Sequence, residues 1–193
     1  MSVISFCSSV GANTGQIACD TSRGVPKVIL VGSAEFSTSD TATSSAFKSA
    51  LLSAIKKATG DANKLYPFPE IVGNTPSTEA NKEATTGYGV KFILSEGRPA
   101  YTFDIICGIN TEKQLRKFNK QTMPVYVFDD GGNVWGRVNA SSKFVAPKAQ
   151  LFVTGAPFGD GNNLSLVKVT VAFQSANEFY DDAAFVNTAF STS

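Results

Sequence analysis

The sequence predicts an α+β fold in which antiparallel β-structure dominates. The expected architecture is a β-sandwich or barrel-like sheet with one main helix at about 42–59 and one short helix at about 111–120. Three observations lead there. Residues 42–59 repeat apolar side chains at three- and four-residue spacing, as an amphipathic helix requires. From residue 90 onward the chain becomes a series of short apolar runs broken by Gly, Asp, Asn and Pro, the punctuation of strands and hairpins. Fifteen Phe, against five Tyr and one Trp, supply a large apolar area to a chain of 193 residues, long enough to bury a core without staples.

Taken in order, residues 1–26 are rich in Ser, Gly, Thr and Asn and are expected to be an irregular N-terminal segment of a single domain covering 1–193. Val28, Ile29, Leu30 and Val31 follow Pro26 as a compact buried strand. The Ser/Thr run ending at Ser39, Asp40 and Thr41 offers caps for the main helix. Phe47, Ala50, Leu51, Ala54, Ile55 and Ala58 share one face of that helix, with Ser45, Ser49, Ser53 and Lys56 on the other. Gly60 stands where a left-handed residue would end it, and Lys56 and Lys57 suit the negative end of its dipole. Residues 65–72 contain Pro67 and Pro69, which cannot donate to a ladder, so an edge strand or extended arm is expected. Residues 73–89 are polar without a core pattern and read as a long polar loop reaching toward a neighbour.

The runs at 90–94 and 100–106 read as a hairpin turning through Ser95 to Pro99. Thr111 and Gln114 match a capping box for the short helix, whose Leu115 and Phe118 face inward opposite Lys113, Lys117 and Lys120. Runs at 125–128 and 134–138 enclose Asp129, Asp130, Gly131, Gly132 and Asn133, a strong hairpin turn. Runs at 144–145, 151–154 and 164–173 complete the strands, the last with a register change that marks a bulge. The tail at 178–186 adds a strand or packs as an irregular arm.

Composition narrows the function classes. Net charge is +1, so nothing global draws the chain to nucleic acid or lipid, and charged residues are only 17% of the total, leaving Ser, Thr, Asn and Gly to cover the surface. Histidine is absent, which removes the side chain most used for acid–base chemistry near neutrality and the commonest metal ligand. The three cysteines, Cys7, Cys19 and Cys107, are odd in number and show no C-x-x-C spacing. Free thiols of a chain made in a reducing cytosol are expected, with a Cys7–Cys19 bridge as the alternative. The N-terminal stretch lacks a basic region and no apolar run approaches eighteen residues, so neither a signal peptide nor a membrane-spanning helix is expected.

Each polar cluster has a plainer explanation than chemistry. Asp129, Asp130 and Asn133 offer oxygens suited to calcium, but their spacing matches no calcium loop and Asp-Gly is a common hairpin turn. The Gly/Asp/Asn cluster at 159–163 reads the same way. Lys113, Arg116, Lys117 and Lys120 are suited to phosphate, yet they are also the solvated side of a helix whose other side is apolar. Asp181 and Asp182 are adjacent, so on a strand they point to opposite faces and cannot share hydrolytic work. Tyr126, Phe128 and Trp135 invite a sugar-stacking reading; burial in a hairpin explains them more simply. No phosphate loop, nucleophile elbow or zinc-ligand cluster occurs, and no catalytic, cofactor-binding or metal-binding residue is assigned.

Four stretches carry a resemblance: Gly87-Tyr-Gly-Val-Lys-Phe, Glu96-Gly-Arg-Pro-Ala-Tyr101, Gln114-Leu-Arg-Lys-Phe-Asn119 and Val125-Tyr-Val-Phe-Asp-Asp-Gly-Gly-Asn-Val-Trp-Gly136. Over 87–186 the chain resembles virion structural proteins of tailed bacteriophages of Bacteroidetes-type hosts. The resemblance rests on pattern, covers about half the chain and transfers no functional residue. It implies a non-enzymatic, self-assembling subunit of a tail tube or neck ring, made in the host cytoplasm and ending in the virion. Its partners would be copies of itself and other virion proteins, with passing contact with packaged or ejected DNA and none with membrane. The alternative is a glycan- or surface-binding module for host attachment, in which Trp135 would be central.

Overall fold

A computed structural model describes residues 24–85, 87–89, 91–95, 97–155, 166–180 and 183–188. Most of the expected irregular segment 1–26 lies outside the described residues, and Pro26 already opens the first strand. In chain order the elements begin with β1 (Pro26–Val31), α1 (Thr38–Thr41), α2 (Ser44–Lys56), β2 (Tyr66–Pro67), β3 (Ile71–Pro76), β4 (Lys82–Thr85), β5 (Lys91–Ser95) and β6 (Ala100–Ile105). They continue with α3 (Ile109–Leu115), which runs into a 3-10 turn (Arg116–Phe118), then β7 (Thr122–Asp129), β8 (Asn133–Val138), β9 (Phe144–Val145), β10 (Lys148–Thr154), β11 (Val167–Phe173), α4 (Ala176–Tyr180) and β12 (Ala183–Asn187). The class is the α+β, mainly antiparallel one that the sequence predicts.

Among the described residues ten strands form one sheet along the path β12-β8-β7-β10-β11-β6-β3, with β1 beside β7, β2 beside β1 and β9 beside β8. Strand β7 is the hub. Its first residues pair with β10 and its later ones with β1 and β8. Strand alternation then separates two cores. Ile29, Val31 and Val125 point into one with Phe103, Leu151, Val169 and Phe173. Leu30 and Tyr126 point the other way and meet Phe47, Leu51 and Ala54 of α2. Strand β1 also lies against β3, and Phe68 N donates to Ile29 O at 2.9 Å, so the sheet curls toward a barrel around the first core.

The second core absorbs much of the aromatic surplus. Phe36 and Phe47 meet edge to face with centroids 5.0 Å apart, Phe47 and Phe144 at 5.7 Å, and Tyr126 stacks on Phe144 at 5.6 Å. The Tyr126 hydroxyl is not stranded, because it donates to Ala34 O at 2.6 Å, and burial pushes its phenol well above the ordinary value.

The main helix is shorter than expected at both ends. Thr43 Oγ1 accepts from Ala46 N at 3.2 Å and starts α2 there. The preceding residues close a separate turn, α1, through a reciprocal Ser37–Asp40 capping box. At the other end Lys64 Nζ donates to Ile55 O at 2.9 Å and to Lys57 O, satisfying final carbonyls before Gly60 is reached. Gly60 has φ +98° in the turn beyond, and Ala58 is exposed. The short helix also begins early: Gly108 is its cap, no side-chain cap bond forms, and Thr111 already lies inside α3, so the expected capping box is not built. The tail supplies a helix and a strand, since β12 pairs with β8 from Ala183↔Arg137 to Asn187↔Asn133.

Two expectations are overturned together. Residues 73–89 are not a loop, because they include the end of β3 and all of β4. The expected hairpin between 90–94 and 100–106 does not form either. Strand β5 pairs with β4, while β6 pairs with β3 and β11. The Gly and Pro letters misplaced the turn: Gly97 and Pro99 mark a close backbone approach, and the reversal lies at residues 87–89.

Candidate assembly interface

Strands β3, β4, β5 and β6 form one long antiparallel ribbon. Its lower part is the β3–β6 pair, with Ile71 opposite Ile105 and Pro76 opposite Tyr101. The two sides of the ribbon stay together beyond the sheet through Ser77 N to Ala100 O at 2.8 Å and Glu79 N to Arg98 O at 3.0 Å. Pairing resumes as β4–β5, from Lys82 opposite Ser95 to Thr85 opposite Lys91. From Pro76 to Thr85 is nine residue steps, or about 30 Å of projecting arm at ~3.3 Å per residue. The sequence explains the partnership: Lys-Phe-Ile-Leu-Ser has strong strand preference and recruits the polar Lys-Glu-Ala-Thr opposite it. Lys91 Nζ lies 3.4 Å from Glu83 Oε2 across the pair.

The junction of arm and body is built from specific residues. Arg98 reaches both carboxylate oxygens of Glu79, with Nη2 to Oε1 at 2.7 Å and Nε to Oε2 at 3.1 Å. That paired hydrogen bonding from Arg98 holds the Glu79 carboxyl below its usual range. Gly97 N donates to Asn81 Oδ1 at 2.8 Å, and a Cβ on Gly97 would stand 1.7 Å from Glu79 O, so only glycine fits. Gly89 turns the tip with φ +76°, and Tyr88 there is 98% exposed.

The sequence did not single out Tyr88, Gly97 or the Arg98–Glu79 pair. One signal was available: Glu79 and Arg98 are equally far from the centre of a hairpin reversing near residue 88, as are Lys82 and Ser95.

The sites weighed from sequence fare differently. Asp129 is 1% exposed; Oδ1 accepts from Gly131 N and Asn133 N, both at 2.9 Å, and Oδ2 from Trp135 Nε1 at 2.5 Å and Gly24 N at 3.2 Å. Asp130 Oδ1 accepts from Val25 N at 2.9 Å. These carboxylates organise the β7–β8 turn and fasten the start of β1 to it, matching the turn reading.

Tyr126, Phe128 and Trp135 do not share a surface. Trp135 stands opposite Val127, whose side chain packs on the first core, whereas Tyr126 and Phe128 belong to the second. The Trp135 ring also packs on Phe185 at 5.0 Å. Lys113, Arg116, Lys117 and Lys120 are exposed as expected, behind Leu115 and Phe118, and Arg116 lies 3.7 Å from Glu112. Cys107 is a half-buried free thiol that burial, with Glu112 nearby, pushes above its usual value. Cys7, Cys19, the 159–163 cluster, Asp181 and Asp182 lie outside the described residues.

Among the described residues no group of three or more Cys, Asp or Glu is placed to hold a metal, and no helix is long and apolar enough to cross a membrane. Comparison with known protein families, with curated proteins and with solved structures returns no match.

Proposed function

We propose that this chain is a non-enzymatic structural subunit that assembles with copies of itself into a ring or tube of a tailed-phage virion, as a tail-tube or neck component. The observation that carries the reading is the arm. A two-stranded ribbon alone in water is marginal at best. Here β4 and β5 pair with no other strand among the described residues, and the sequence of β5 includes Phe92, Ile93 and Leu94. Open strand edges are a hazard on a monomer and become joints between neighbours in an assembly. The helix packed on one side of a curled sheet, the lack of histidine in the sequence and the phage-like pattern over 87–186 support the same reading.

Sedimentation velocity across protein concentration and salt, with negative-stain images of the same samples, tests it. Rings or tubes of constant diameter are expected at high concentration. A single monomeric species throughout would defeat the reading.

A further inference from the structure

The arm carries a knob, and the body carries a hole. Tyr88 projects almost fully into solvent at the arm's tip between Gly87 and Gly89. An aromatic ring at a tip is what interfaces use as an anchor when a pocket receives it. The first core contains a cavity of about 140 Å³ between β1, β3, β6, β7, β8 and β11. Phe103, Val125 and Phe173 form its buried floor, and Asn74, Tyr101 and Trp135 stand at a more accessible rim. An apolar cavity of about 150 Å³ accommodates one benzene ring.

Asn74 is also at the base of the arm that bears Tyr88. The β4–β5 pair lies beyond the β3–β6 pair along the ribbon, and the fourteen residue steps from Asn74 to Tyr88 span at most about 45 Å when extended. The Tyr88 ring is 98% exposed, so it does not fill the cavity of its own chain and is free to meet that of a second.

We infer that Tyr88 of one copy inserts into the cavity beneath Trp135 and Tyr101 of the next, its ring entering hydroxyl first and its Cβ staying at the rim near Asn74. This rests on the self-assembly reading and names its joint. Knob and hole are different surfaces, so the contact repeated head-to-tail from copy to copy builds a ring or a filament. The spacing between successive copies along the arm then follows from the arm's own reach.

The test places the photo-cross-linker p-benzoylphenylalanine at position 88 of the full chain and mixes isotopically light and heavy copies. Irradiation is expected to join light to heavy copies, with Tyr88-site peptides attached to peptides containing Tyr101 or Trp135. Cross-links confined to other peptides, or to a single copy, overturn the inference. In parallel, Tyr88→Ala is expected to weaken self-association at least about 30-fold, the level of an interface hot spot, and Tyr88→Phe less than about threefold. A Tyr88→Ala protein that associates like the wild type removes this joint while leaving self-assembly standing. A wild-type chain that never associates removes the reading beneath it.

Discussion

Replacing Asp129 with alanine is the sharpest test of how the body is held together. The carboxylate takes four backbone or indole N–H groups, but they are not equal. Gly131 is exposed and Gly24 half-buried, so water can reach both amides once the acceptor is gone. The Asn133 amide is buried and the Trp135 indole is packed against Phe185, so these two lose charge-assisted bonds without ready replacement. At ~1.5–3 kcal/mol each, Asp129→Ala should cost about 3–6 kcal/mol. At roughly 2–4 °C per kcal/mol for a chain of this size, the midpoint should fall about 6–24 °C. Asp129→Asn keeps an oxygen for the two turn amides and loses the indole bond, so it should fall in between. Thermal melts of the three proteins, with and without calcium, give the answer. An Asp129→Ala protein melting within about 2 °C of the wild type would refute the reasoning, and a calcium-dependent rise in the wild-type midpoint would show that the acids serve a metal.

Three further outcomes are expected. Gly136→Ala places a Cβ 2.7 Å from Val145 O and 2.8 Å from the Phe144 ring, and overpacking of this kind should destabilise the body by about 1–3 kcal/mol, read as a lower denaturant midpoint. Gly97→Ala should leave the body's melting close to wild type while displacing the arm and reducing assembly, because its clash is with the arm's own backbone at Glu79; unchanged assembly counts against the junction. The Arg98-depressed carboxyl of Glu79 contributes fully above its unfolded value of 4.5 and loses that contribution as pH falls through its lower folded value. Hydrogen exchange of the arm should therefore quicken in acid in the wild type, and less so in Glu79→Gln; identical pH profiles would contradict this.

How much of this was legible in the sequence depended on the kind of signal. Helix α2 and the β7–β8 hairpin announce themselves, because Phe47, Leu51 and Ala54 repeat at helical spacing and the Asp-Gly turn lies between alternating strands. The arm was hidden for a physical reason. Its outer strand is stabilised by pairing rather than by burial, so Lys82, Glu83 and Thr85 are exposed and show no apolar alternation. Glycine misled as well, since Gly97 is required by a backbone 1.7 Å from where a Cβ would sit, and not by a turn. Nor was the fate of Trp135 readable, because its indole bond depends on which face of β7 buries its neighbours. The cavity could not be read at all, being shared by six strands distant in sequence.

The most direct test of the central claim removes the arm and leaves the body. Replacing residues 78–99 with Asn-Gly closes the ribbon at the Ser77–Ala100 pair with a favoured two-residue turn. The new glycine carbonyl stands where Pro99 O accepts from Phe173 N at 2.9 Å. Both cores are untouched, so the shortened chain should melt within a few degrees of the wild type and sediment as a monomer at concentrations where the wild type forms rings or tubes. A shortened chain that folds and still assembles like the wild type would contradict the claim that the arm joins the subunits.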